Sequence, residues 1–262
     1  MKILALNGSH RGRLGCTQLL LDKMGEGAKS AGGEFETAVL AERKINSCLA
    51  CGFCGKPATM GHCVYENEDD VKDIIDKMRA ADILIYGSPV YVFGLTGRMK
   101  TFLDRLNSTG TGEGLCLTES GLIFHPVDRR VLGKPLVILT LCANLEQETV
   151  KNTLSYFSTF AQYVDAPIVG TLVRKMSMML EQKDSRLVQE VLAAYVQAGK
   201  ELASQGRVGS KTERIANQQL LKIPFLDFLL HFSAFKRRAI EQANQDRIRQ
   251  SKVPNPGENG IS

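Results

Sequence analysis

The sequence predicts a doubly wound α/β domain: a five-stranded parallel sheet in the order 2-1-3-4-5, helices on both faces, and a helical C-terminal extension. Apolar runs of strand length at residues 2–6, 83–86 and 136–141 lack the alternation of a sheet wetted on one side, and suit strands buried on both faces. Stretches with apolar residues at helical spacing lie between them. Strands that alternate with helices in this way imply parallel neighbours joined by right-handed crossovers.

Residues 2–6 form the first strand, closed by Asn7, Gly8 and Ser9. A polar loop to Thr17 leads into a helix opened by Leu19, Leu20, Leu21 and Met24. After the Gly32-Gly33 turn, residues 36–40 form the second strand, and a cysteine-rich segment follows directly. Glu68, Asp69 and Asp70 stand at the start of a helix carrying Val71, Ile74, Ile75 and Met78, where the positive end of the helix dipole favours acids. The third strand, 83–86, ends in Gly87, Ser88 and Pro89, and residues 97–106 form the next helix. Residues 107–130, rich in Gly, Thr and Ser at first, read as loop. Then come the fourth strand (136–141), a helix (146–163), the fifth strand (167–173) and an amphipathic helix (185–203). Residues 1–205 thus make one domain and 206–262 a basic, partly amphipathic extension.

The chain has 262 residues, 44% hydrophobic and 23% charged, so it can bury a sizeable core and is not a disordered polymer. No apolar run approaches the roughly 18 residues that span a bilayer. The short apolar run at the N-terminus lacks the features of a signal peptide, and a cytoplasmic protein is expected. Ten Lys/Arg against five Asp/Glu from residue 206 onward account for the whole net charge of +5. The remaining body is balanced, which argues against a nucleic-acid-binding surface there. Within the extension, the apolar stretch 220–232 precedes Lys236, Arg237 and Arg238. It is expected to pack on the body or on a second subunit rather than lie on a membrane surface.

The first loop sits between a buried strand and a helix N-terminus, where unpaired N–H groups and the dipole make an anion site. Ser9 and Thr17 offer hydroxyl donors and Arg11 a charged one. The loop fits neither the G-x-G-x-x-G fingerprint of dinucleotide sites nor the G-K-[ST] ending of a nucleotide-hydrolysing loop. Across the first/third strand switch point, Pro89, Val90, Tyr91, Val92 and Phe93 supply the apolar and aromatic surroundings that a flat ligand wants, with backbone N–H groups for its polar edge.

Seven cysteines without a secretion signal argue against a disulfide framework. Four of them crowd together as Cys48-x-x-Cys51-x-x-Cys54 followed by Cys63. That spacing is compatible with an iron–sulfur cluster, with structural zinc, or with unliganded thiols beside a redox cofactor. Cys116 and Cys142 are isolated and expected to be small buried hydrophobes. The four histidines show no ligand spacing.

With both loops in view, the chain resembles the NAD(P)H-dependent FMN reductase and iron–sulfur flavoprotein branch of the flavodoxin-like superfamily. Gly8, Ser9, Arg11, Gly15 and Thr17 match the first-loop motif, with Cys16 where the family has asparagine. Residues 87–91 and then Lys100, Phe102, Asp104 and Arg105 match the third-strand motif, and Gly133-Lys134-Pro135 resembles the family's approach to the fourth strand. The resemblance covers residues 1–205. It implies FMN bound by Ser9, Arg11, Cys16 and Thr17, its ring against Pro89, Val90, Tyr91 and Phe93, and residues 142–145 near its edge. It implies NAD(P)H as co-substrate, a small-molecule or protein electron acceptor, and a homodimer or homotetramer. Similar flavoproteins hold a [4Fe–4S] cluster on a compact run of four cysteines, which points to Cys48, Cys51, Cys54 and Cys63. The activity implied is a flavin-based oxidoreductase, or alternatively an electron carrier between protein partners.

Overall fold

A computed structural model describes residues 1–112, 114–182 and 184–220, together with 237, 241 and 245. Residues 1–220 form one compact unit; 221–262 form a second, in which Arg237, Glu241 and Gln245 are helical. The apolar stretch 221–232 lies outside the described residues.

In chain order the elements are β1 (Lys2–Asn7), α1 (Cys16–Ser30), β2 (Glu34–Val39), α2 (Val71–Ala80), β3 (Ile83–Pro89) and α3 (Gly97–Arg105). There follow β4 (Cys116–Leu117), β5 (Ile123–Phe124), β6 (Leu136–Leu141), α4 (Glu148–Tyr163), β7 (Ile168–Arg174), α5 (Arg186–Gln205) and α6 (Ser210–Ala216). The main sheet is five-stranded and parallel, ordered β2-β1-β3-β6-β7. This is the predicted flavodoxin-like order, with a short antiparallel hairpin, β4–β5, inserted where the sequence reads as loop. Two-residue strands carry too little periodic signal to be seen in a Gly- and Thr-rich stretch. The hairpin also corrects the expectation for Cys116: it is exposed, its Sγ 3.4 Å from the Phe124 carbonyl, whereas Cys142 is buried as expected.

Every residue of β6 is buried, and so is all of β3 but Pro89, as continuous apolar runs require. One face packs Leu4, Leu6, Leu84, Tyr86 and Ile138 against Ile74, Met78, Phe102 and Phe157. On the other side α1 and α5 press together so closely that backbones touch. A Cβ on Gly27 would lie 1.8 Å from the Val196 carbonyl oxygen, and one on Gly199 would lie 1.9 Å from that of Met24. Only glycine fits this crossing.

The edge strand β7 is covered by α6. Thr171 and Val173 donate their N–H groups to Glu213 (2.6 Å) and Asn217 (2.7 Å), and Asn217 Nδ2 donates to the Thr171 carbonyl. Arg174, fully buried, donates to the carbonyls of Lys175, Ala216 and Gln218. Residues 206–220 therefore belong with the sheet. Because all five strands run one way, Asn7, Val39, Pro89, Leu141 and Arg174 end at a common edge.

Candidate functional site

At that edge the first loop is a tight, internally bonded turn. Ser9 accepts from the Arg11 N–H at 3.2 Å through its hydroxyl and from the Gly12 N–H at 3.0 Å through its carbonyl. Behind it, buried Asn7 accepts from Ser9 N at 2.9 Å and donates to Gln18 Oε1 at 2.9 Å. Ser9 and Thr17 are almost fully buried. The Ser9 hydroxyl accepts one bond and keeps its proton to donate.

The helix that follows has no side-chain cap at its N-cap, Gly15. Its first amides, at Cys16, Thr17 and Gln18, therefore face out of the helix start, and the dipole of a 15-residue helix points there. A Cβ at Gly15 would lie 2.8 Å from Ser9 Oγ and fill this hollow. Among the described residues no carboxylate is paired with the Arg11 guanidinium. An amide-lined hollow with a free cation beside it fits a phosphate group. The Cys16 Sγ lies 3.5 Å from the Ser177 carbonyl, and burial pushes its thiol up.

The third-strand loop lies directly against the first. Gly8 N–H donates to the Gly87 carbonyl at 2.8 Å, and Thr96 Oγ1 donates to the Gly8 carbonyl at 2.7 Å while accepting from Met99 N. The rings of His10 and Tyr91 stack across the loops, centroids 5.3 Å apart. Tyr91 and Gly94 exchange backbone bonds around Val92 (φ 48°) and Phe93 (φ 62°), a turn with both central residues left-handed. That conformation is strained for a β-branched residue. Asn152 Nδ2 holds the turn by donating to the Phe93 carbonyl at 3.0 Å. Val92 is 94% and Phe93 61% exposed, so the turn presents apolar surface to the outside. Val90 N–H is taken by the Leu141 carbonyl at 2.7 Å and Tyr91 N–H by Gly94, whereas among the described residues the Val92, Phe93 and Leu95 N–H groups have no hydrogen-bond partner.

The cysteine segment leaves β2 through residues 40–42, against which the first loop rests by an Arg13–Glu42 ion pair. Cys48, Cys51, Cys54 and Cys63 all line one cavity of about 440 Å³, with Phe53, Tyr65 and His125 in its wall. Ala50 (φ 50°) and Gly52 (φ 68°) turn the backbone around it. Burial and then the sulfurs of Cys63, Cys48 and Cys51 push the Cys54 thiol up, against a backbone hydrogen bond that lowers it. Among the described residues no three His, Cys, Asp or Glu side chains are gathered closely enough to hold a single metal ion. The observation that bears on a cluster is that all four cysteines line the same cavity.

Sequence reasoning missed the residue pair that holds this segment. Asp69 read as one of three acids favoured by a helix dipole; instead its side chain is wholly buried against Arg105. It caps α2 by accepting from Val71 N at 3.2 Å. Burial works against the Arg105 charge, but the Asp69 carboxylate outweighs it and raises the guanidinium above its ordinary value. Thr96 was legible in principle, as a threonine just before a helix. Asn152 carried no signal at all.

A five-stranded parallel sheet in the order β2-β1-β3-β6-β7, with the first-strand and third-strand loops meeting at its carboxyl edge, defines a flavodoxin-like fold. The chain belongs to the NADPH-dependent FMN reductase family, whose sequence profile matches residues 1–172. Over 105 residues it is 36% identical to an iron–sulfur flavoprotein of Archaeoglobus fulgidus, covering 40% of this chain and 48% of that one. Over 88 residues it is 30% identical to an FMN-dependent NADH:quinone oxidoreductase of Opitutus terrae, covering 34% and 38%. The matched part spans about half the length or less of these curated relatives. Among solved structures, an FMN-dependent NADH-azoreductase of Bacillus anthracis in complex with FMN superposes with a TM-score of 0.58 at 14% identity, over 78% of this chain and 99% of that one. At that identity the likeness speaks for the fold. Among the described residues no helix is long and apolar enough to cross a membrane.

Proposed function

We propose that the protein is an FMN-dependent oxidoreductase that takes hydride from NAD(P)H and passes electrons to a small-molecule or protein acceptor, such as a flavin or quinone. The observation that carries this reading is the meeting of the two loops: the uncapped α1 N-terminus with unpaired Arg11, joined to the apolar turn at 89–94 through Gly8, Gly87 and Thr96. Ser9, Arg11, Thr17 and the first amides of α1 hold the FMN phosphate. Pro89, Val90, Tyr91 and Phe93 flank the flavin ring, and the Val92 and Phe93 amides are open to its polar edge. Cys16 lines this site through its backbone N–H. FMN, when bound, supplies the hydride chemistry. The chain supplies position, a dry wall and the phosphate charge partner, and no side-chain acid or base is required.

The same reading gives Cys48, Cys51, Cys54 and Cys63 a [4Fe–4S] cluster, supported by their shared cavity and by the iron–sulfur flavoproteins among the relatives. A cluster supplies one-electron transfer. The protein acts in the cytoplasm as a homodimer or homotetramer, and the exposed Val92 and Phe93 are surface of the sort a second copy covers.

The test is anaerobic. Protein with FMN bound is mixed with NADH or NADPH, and the flavin absorbance is followed while iron and sulfide are assayed. Bleaching by one of the two cofactors, with about four iron and four sulfide per chain, is expected. Flavin that stays oxidised with both would refute the oxidoreductase reading, and protein without iron would refute the cluster.

A further inference from the structure

The segment 46–69 contains only two short 3₁₀ turns, Phe53–Gly55 and Pro57–Thr59, and much of it is exposed. One buried group closes it. Arg105, the last residue of α3, has a side chain only 1% exposed. Its Nη1 donates to the Asn46 carbonyl at 2.9 Å and to Asp69, and its Nη2 donates to Cys63 Sγ at 3.1 Å. The Asp69 carboxylate in turn accepts from Asn46 N at 3.0 Å and from Val71 N. The guanidinium carbon sits 5.2 Å from the centre of the Tyr65 ring. One ion pair thus joins the residue two before Cys48, the Cys63 sulfur, and the start of α2.

A buried ion pair is weak evidence for stability, because apolar side chains of the same volume often serve as well. What this pair does that apolar packing cannot is fix three separate strands of chain at hydrogen-bond precision. It uses the planar fork of an arginine, which a lysine ammonium cannot reproduce. It also singles out one cysteine. Cys63 receives a charged donor, whereas Cys48 receives only the Ala50 amide at 3.5 Å.

We infer that Arg105 is the positioning residue of the four-cysteine segment: it latches the two ends together and sets the Cys63 corner before any cluster is present. With a cluster in place, the same N–H···S bond withdraws electron density from one of the four ligating sulfurs and holds the cluster's potential up. This second part rests on the cluster reading; the latch itself does not.

Hydrogen exchange on full-length, FMN-loaded but iron-free protein tests the latch, with wild type compared to Arg105→Lys and Arg105→Gln. Amides of 46–69 should exchange on the order of tenfold faster in both variants, while those of β6 and α5 keep their wild-type rates. Full rescue by lysine, unchanged exchange in the segment, or equal acceleration throughout residues 1–220 would each overturn the latch. Should Arg105→Gln fail to fold, Arg105→Lys decides alone. In anaerobically reconstituted protein, Arg105→Lys should move the cluster's midpoint potential to a more negative value, and an unmoved potential would remove the Cys63 role. If wild type takes up no iron, the cluster reading fails, and the exchange measurement still decides the latch.

Discussion

The first loop and the cysteine segment are both irregular backbone at the same sheet edge, yet they are held in opposite ways. Residues 8–17 are short, bonded through Ser9, Asn7 and Thr96, and clamped between two buried strands and α1. Residues 46–69 are long, poor in regular structure, and tied at the neck by one buried charge pair. The first is a by-product of the fold: any sheet of this topology makes a helix N-terminus there. The second is an insertion whose shape depends on a few side chains. Loss of order should therefore be local in one region and global in the other.

Removing the neck carboxylate is the most damaging change expected. Asp69→Ala leaves the Arg105 charge buried without its partner, a loss of about 3–5 kcal/mol. Urea denaturation should report it, and proteolysis should begin within 46–69. A global melt with no early cleavage there would erase the contrast between the two regions. Next comes Gly27→Ala, which drives a methyl into the Val196 carbonyl and separates α1 from α5. A loss of about 3 kcal/mol is expected, at the top of the usual overpacking range, with weakened FMN binding because the amides proposed to hold the phosphate are on α1. Calorimetry and FMN titration check it together.

Smaller effects probe the ligand rather than the scaffold. Arg11→Ala should weaken FMN binding by about 1.5–3 kcal/mol, as for a lost hydrogen bond to a charged group, and leave the melting temperature in place. Unchanged affinity by flavin-fluorescence titration would put the phosphate elsewhere. Smallest and opposite in sign is Val92→Gly. Glycine accepts a φ of 48° without the left-handed penalty, so stability should rise by about 0.5–1 kcal/mol. A fall in melting temperature would show that the Val92 side chain is packed rather than exposed.

The sheet was legible because burial on both faces writes itself into sequence as continuous apolar runs, as at 83–86 and 136–141. The edge at which the first and third strands end together followed from topology alone. The hairpin β4–β5 was not legible, since two-residue strands carry no period. Nor was the partnership of Asp69 with Arg105: 36 residues apart, they form one unit only after α3 has folded against the segment. Acid triplets at helix starts are common, and nothing in Glu68, Asp69 and Asp70 marks the middle one as buried. Cys16, at a motif position where the family has asparagine, turns its sulfur to the Ser177 carbonyl, a contact 161 residues away that no local pattern announces.

The identity of the cofactor released from the full-length protein tests the central claim most directly. Mass spectrometry of the denatured, anaerobically purified chain should find FMN at about one per chain, because the first loop offers a single phosphate cradle with no dinucleotide glycine pattern. FAD in its place, or a chain that carries no flavin and takes up none when FMN is supplied, would contradict the account.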